Sequence, residues 1–211
     1  MRFLEFKRVL CLSPHPDDVE YSMAGTVLKY TDTHFDILCL TKGGDCDSTT
    51  GDNRLIEVEN TWKLSQTKNY NLFFSDKKFL KDLGEDEWVS FIERNYLNYF
   101  SYDAILLPST KDSHFEHKIV SNFGWPLTRI KSISLVEYCS PSTLETWVPN
   151  VFVDIKDHFN TKLNMLKQFT SQQHRSYFKE DVIKGFHTNF QCSKKGLSLV
   201  EQFNLKQVFL K

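Results

Sequence analysis

Short apolar runs rich in leucine and β-branched residues alternate along this chain with longer stretches whose apolar positions recur every three or four residues. The runs predict strands at 8–13, 35–41, 70–74, 103–108, 132–138 and 150–155, and the stretches predict helices at 19–32, 54–66, 86–100, 116–125 and 157–171. Beyond about residue 175 the pattern is mixed. Alternation of this kind builds a sheet covered by helices on both faces, so the expected fold class is α/β, a Rossmann-like, doubly wound and mostly parallel sheet in a single domain spanning 1–211. In the first helix Tyr21, Ala24 and Leu28 share a face, and the Ala24-Gly25 pair allows close approach of backbone to the sheet.

Ligands of such sheets bind beyond the carboxyl ends of the strands. Three loops on that rim carry most of the chemically active side chains: "SPHPDD" after the first strand, "TKGGD" after the second and "PSTKDSHFEH" after the fourth. In the first of them a histidine stands between two prolines and is followed by two adjacent aspartates. Neighbouring carboxylates disfavour each other's ionisation, so a positive partner is expected close by. A divalent metal ion meets that requirement, turning crowded carboxylates into ligand and base. His15 and Asp18 are spaced to share one ion, and one of the two later histidines, His114 or His117, completes a tripod with a position left open for water, the arrangement of catalytic zinc. The bland readings of the same residues are helix capping for Asp17 and Asp18, an exposed helix-start position for His114, and a loop cap for Asp112, which could equally support a ligating histidine.

Composition narrows the partners. Twenty-six basic against twenty-seven acidic side chains give a net charge of −1, with no basic stripe to suit nucleic acid. No apolar run approaches the ~18 residues of a membrane span or a signal peptide's core, which points to a cytoplasmic protein without an integral membrane segment. The five cysteines show no CxxC spacing and are expected as reduced core thiols. The four tryptophans are expected in the core or, near the rim, against a sugar face. The aromatic content suits a homo-oligomer contact. His34, His158, His174 and His187 lack partners at ligand spacing and are expected to be solvent-facing or structural.

The segment "PHPDDVEYSMAGT" resembles the signature of the LmbE/PIG-L family of zinc-dependent N-deacetylases. Further segments are similar in the same order: the glycines, Arg54 and Glu57 of "LTKGGDCDSTTGDNRLIEVENTWKLSQ"; "DSHFEH"; "VFVDI"; and "KLNMLKQFTSQ". The resemblance spans roughly residues 8–173. It implies that His15, Asp18 and His117 bind zinc, or alternatively iron(II) or another divalent transition metal. It further implies that Asp17 acts as general base on the metal-bound water and that His114, as an imidazolium, stabilises the tetrahedral intermediate. Gly43 and Gly44 would let backbone approach a sugar, and Arg54 would hold a hydroxyl or phosphate group, although an ordinary turn and an Arg54–Glu57 pair are the structural alternatives. The implied activity removes the N-acetyl group from an amino sugar or glycoconjugate. Two positions depart from the family pattern: Phe115-Glu116 stands where Pro-Asp is usual, so Glu116 would support a histidine through a longer side chain, and Phe169 replaces a histidine. A non-catalytic carbohydrate- or metal-binding protein of the same fold is the alternative, and a magnesium phosphohydrolase fits two histidines less well.

Overall fold

A computed structural model describes residues 1–43, 51–129 and 131–209. Its sheet contains strands β1 (Arg8–Ser13), β2 (His34–Cys39), β3 (Tyr70–Phe74), β4 (Ala104–Pro108), β5 (Ser134–Tyr138), β6 (Val151–Asp154) and β7 (Val200–Gln207). They lie in the order β3-β2-β1-β4-β5-β7-β6. The first five are parallel neighbours, and β7 runs antiparallel between β5 and β6. The expected α/β, mostly parallel sheet is therefore present. The chain reverses its direction of growth at β1, which places the loop after β1 at the switch point where such sheets form clefts.

Alternate residues of the central strands feed two separate cores. Val9 and Cys11 of β1, Phe35 and Ile37 of β2, and Ala104 and Leu106 of β4 pack on one side; Leu10, Leu12, Leu38, Ile105 and Leu107 pack on the other. Strands facing apolar layers on both sides read as nearly continuous apolar runs; the interior exception, Asp36 of β2, is buried and paired with Arg8, Asn71 and Tyr102. Helices α1 (Asp18–Lys29), α2 (Gly51–Ser65) and α6 (Phe159–Leu166) contribute to the first core, whereas α3 (Glu85–Ile92), α4 (Phe115–Asn122) and α5 (Gly124–Thr128) cover the second. Short helices α7 (Glu180–Phe186) and α8 (Phe190–Ser193) precede β7.

Several expected elements need correction. The helix expected over 86–100 is α-helical only to Ile92 and continues as a wider π-turn over Glu93–Leu97. The one expected over 116–125 divides into α4 and α5, with Pro126 early in the second, where its missing N–H costs nothing. Trp125 at this junction is exposed and belongs to neither core. The helix expected over 157–171 is α-helical only within α6 and is flanked by 3₁₀ turns. Strand β7 is not expected from the sequence, because Val200 and Glu201 break the alternation that Gln202 to Lys206 carry.

Glu201 accounts for that polar intrusion. α1 is buried from Asp18 to Leu28 and departs from helical geometry at Met23. The carboxylate of Glu201 takes the Gly25 and Thr26 N–H groups at 2.8 and 2.6 Å, the Thr26 hydroxyl at 2.5 Å and the Lys162 ammonium at 2.5 Å. Lys162 and Glu201 are both fully buried. A Cβ on Gly25 would meet Ile155 Cγ2 at 2.7 Å and Glu201 Oε1 at 2.9 Å, so only glycine fits. Cys11, Cys39 and Cys192 are buried free thiols, and Cys139 is partly buried and free, as expected; Cys46 lies outside the described residues. His187 is a buried structural histidine.

Candidate active site

The loop from β1 into α1 is held by side chains at each of three consecutive carbonyls. Thr41 Oγ1 donates to Pro14 O at 2.7 Å, Ser13 Oγ to His15 O at 2.7 Å and Arg54 Nη2 to Pro16 O at 2.8 Å. Two prolines remove two backbone donors from this turn, and the remaining acceptors are each satisfied from outside it. Asp17 then takes a φ of 125°, a strained conformation for a residue with a side chain. Its carbonyl accepts the Tyr21 N–H at 2.7 Å, but its carboxylate makes no helix cap; it faces Arg54 Nη2 at 3.2 Å.

Two histidines are fixed by carboxylates on their outer nitrogens. His117 Nδ1 lies 3.0 Å from Asp112 Oδ2, and His15 Nε2 lies 2.5 Å from Glu116 Oε2. The inner nitrogens point to one carboxylate: His15 Nδ1 is 3.1 Å from Asp18 Oδ2 and His117 Nε2 is 3.1 Å from Asp18 Oδ1. Despite that short distance, the buried His117 Nε2 is misaligned and has no hydrogen-bond partner among the described residues. A buried inward nitrogen with no hydrogen-bond partner is the setting of a metal ligand, and an outer carboxylate on each imidazole is the usual support for one. His15, Asp18 and His117 therefore fit a divalent ion bound by nitrogen and oxygen.

His114 differs. It caps the start of α4, its Nδ1 accepting the Glu116 N–H at 3.2 Å. A neutral ring accepting at Nδ1 carries its proton on Nε2, which leaves no lone pair there for a metal. Ring nitrogens of His15, His114 and His117, one from each, nonetheless lie within 4.8 Å of one another, so the His114 ring borders the same small volume.

The electrostatics follow from these partners. Burial works against a charged His117, but Asp18 and Asp112 outweigh it and push its pKa to about 10; Asp18 does the same for His15, to about 9. Asp18 is held well below the usual carboxylate range, since His117 and His15 overcome its burial. Asp17 is raised to about 6 by burial, with Arg54 pulling against the shift and Asp18 adding to it. His114 is lowered by burial and by the neighbouring His15 and His117. The lowered pKa favours the neutral ring of His114, an N–H donor, over the imidazolium that the resemblance implies.

Asp112 is fully buried and takes the His114 N–H at 2.7 Å and the Ser140 hydroxyl at 2.6 Å as well as His117, so it supports a histidine rather than only capping a loop. Glu116 reaches His15, not the adjacent His114, and accepts the Leu80 N–H at 3.0 Å with its other oxygen. The extra methylene relative to aspartate makes this reach. Arg54 is committed to Asp17 and Pro16, while Glu57 accepts from Thr170 Oγ1 and from Ser171 at 2.7, 2.8 and 2.6 Å. Gly43 has φ +63°, and a Cβ there would come within 2.1 Å of Arg54 Nη1. Its lack of a side chain makes room for that arginine. Gly44 lies outside the described residues. Phe169 is buried against Phe178.

These groups line one cavity of about 430 Å³ at the carboxyl ends of the strands, closed on its far side by Pro141, Ser142, Gln172, Arg175 and Tyr177. The sequence does not single out these five: Pro141 and Ser142 bring no metal-ligating side chain after β5, Gln172 only ends the late family-like segment, and no spacing ties Arg175 and Tyr177 of the tail to the rim loops.

Fold and site together define a class: an α/β domain whose switch-point loop gathers histidines and aspartates in a closed cleft. Residues 10–128, more than half of the chain, match the PIG-L family, described as GlcNAc-PI de-N-acetylase, and the chain belongs to that family. It is similar to a diacetylchitobiose deacetylase of Thermococcus kodakarensis, 24% identical over 201 residues that cover 85% of this chain and 73% of the relative. Among solved structures it resembles the N,N'-diacetylchitobiose deacetylase of Pyrococcus horikoshii, with a TM-score of 0.70, 21% identity and coverage of 97% and 85%. It also resembles the 4-carboxy-2-hydroxymuconate hydratase GalB of Pseudomonas putida, with a TM-score of 0.71, 15% identity and coverage of 97% and 98%. The fold thus carries more than one reaction, and the chemistry open to this chain is set by its side chains.

Proposed function

We propose that this protein is a metal-dependent N-deacetylase acting on an N-acetylated amino sugar or glycoconjugate, with His15, Asp18 and His117 as ligands of a zinc ion. The observation that carries the reading is the pair of carboxylate-supported imidazoles whose inner nitrogens converge on Asp18, one residue from a second buried carboxylate. Family membership and the deacetylase relatives support it. A divalent ion held there supplies Lewis-acid polarisation of the acetamide carbonyl and lowers the pKa of bound water to about 7.

The chain's own groups do the rest. Asp17, held near a pKa of 6 and anchored by Arg54, is a carboxylate at neutral pH and basic enough to accept a proton from the attacking water. Neutral His114 donates a hydrogen bond from its Nε2–H to the oxygen on which charge develops and keeps the proton, with its ring fixed through the Glu116 N–H. The proton taken by Asp17 is then available to the departing amine. Asp112 and Glu116 hold the two ligand rings in their tautomers.

A non-catalytic binder would have no use for a strained, buried Asp17 that caps nothing. Iron(II) is an alternative ion for the same donors. A cytoplasmic location, no nucleic-acid partner and a homo-oligomeric assembly complete the proposal; among the described residues no helix is long and apolar enough to cross a membrane. The test is acetate release from a panel of N-acetylglucosaminyl conjugates by protein loaded with zinc or iron(II). Stoichiometric metal binding with every acetamide left intact would overturn the reading.

A further inference from the structure

We infer that the sugar deacetylated here carries an anionic group, a carboxylate or a phosphate, and that Arg175 recognises it. The inference rests on the proposed deacetylase reading and names its substrate class. Arg175 lies between the turns Thr170–Gln172 and Ser176–Phe178, and its side chain lines the cavity beside Tyr177 and Gln172. Its Nε is buried and has no hydrogen-bond partner, and its guanidinium forms no ion pair among the described residues.

Among the described residues, every carboxylate lining the cavity is already engaged. Asp17 faces Arg54, Asp18 lies between His15 and His117, and Glu116 is shared by His15 and the Leu80 N–H. Asp17 feels the charge of Arg175 but is bridged to Arg54, so among the described residues Arg175 is the cation left over on the cavity wall. A buried guanidinium donor without an acceptor is costly, and its planar fork suits the paired oxygens of a carboxylate or phosphate. The cavity, about 430 Å³, has room for a monosaccharide bearing such a group. Arg175 lies outside the family-matched segment 10–128, so the reading depends on this chain's own geometry.

Deacetylated products bind without turnover and serve as probes for the native, metal-loaded protein. Calorimetric titration with glucosamine, glucosamine 1-phosphate, glucosamine 6-phosphate and muramic acid compares one uncharged ring substituent with two phosphates and a carboxylate. At least one charged sugar is expected to bind about tenfold or more tightly than glucosamine. In Arg175→Gln that ratio falls toward one, and Arg175→Lys recovers part of it; an unchanged melting temperature for both variants shows that the fold is kept. The phosphate and muramic acid arms tell the two anions apart. Equal affinity for charged and uncharged sugars, no binding of any charged one, or a ratio untouched by Arg175→Gln overturns the inference. Failure of the deacetylase reading shows separately, as absence of acetate release.

Discussion

His15 Nε2 and Glu116 Oε2 stand 2.5 Å apart although 101 positions separate them in the chain. This contact ties the loop after β1 to the start of α4, and Glu116 is anchored in turn by the Leu80 N–H. It fixes which nitrogen of His15 faces Asp18.

If that orientation matters for the ion, Glu116→Gln weakens zinc binding by about 10- to 100-fold, the usual cost of losing a carboxylate behind a ligating histidine. Competition with a chromophoric chelator measures the constant. An unchanged affinity would show that the ring is oriented without Glu116.

Asp17→Asn separates catalysis from metal binding. Acetate release should fall by about 10²- to 10⁴-fold, the range lost with a general base, while the bound metal measured by mass spectrometry stays stoichiometric. Metal loss along with activity would instead make Asp17 a ligand.

Gly43→Ala acts on Asp17 at one remove. The new Cβ falls 2.1 Å from Arg54 Nη1, at a φ of +63° that a side chain resists, so Arg54 must move away from Asp17. A stability loss of about 1–2 kcal/mol is expected from the backbone alone, together with reduced turnover. Steady-state rates and urea unfolding of the variant test both parts.

His187 gives the pH dependence of folding. Burial holds its pKa well below the ordinary value; Lys162 adds to this, and hydrogen bonds to the Val200 carbonyl and the Tyr21 backbone oppose it. Tyr21, Phe159 and Phe186 surround the ring. The unfolded chain therefore binds a proton at about pH 6.5 that the native state refuses, and stability is lost as pH falls below that value. The contribution has a limiting slope of about 1.4 kcal/mol per pH unit. His187→Asn, which keeps a donor for Val200 O, should flatten urea-derived stability between pH 5 and 6.5. Retention of the full wild-type slope would assign it to other groups.

Lys162→Met strands the buried Glu201 carboxylate with only its α1 donors. A destabilisation of about 3–5 kcal/mol is expected for breaking such a pair on one side, read from urea unfolding.

The residues legible beforehand share a physical trait: each lies next to a strand end whose apolar run announces it. His15, Asp17 and Asp18 follow β1, and Asp112, His114 and His117 follow β4, so strand pattern and loop chemistry together placed them on one rim. What could not be read is set by contacts at long range. The choice of His15 over His114 as the partner of Glu116 depends on the reach of one methylene, and the commitment of Arg54 to Asp17 rather than Glu57 depends on how α2 sits against the first loop. Arg175 and Tyr177 belong to a tail without period, and β7 hides its strand pattern because Glu201, pointing into the interior, is charged.

The position of β7 bears on the order in which the fold is assembled. β6 finds its neighbour, and β5 its second one, only when residues 200–207 dock, and the backbone N–H groups freed at the bend of α1 take Glu201 of that strand as their acceptor. The first loop, bearing His15 and both aspartates, therefore leads into a helix whose bend is completed by a residue 176 positions further along the chain. Completion of the cleft waits on the docking of that distant strand.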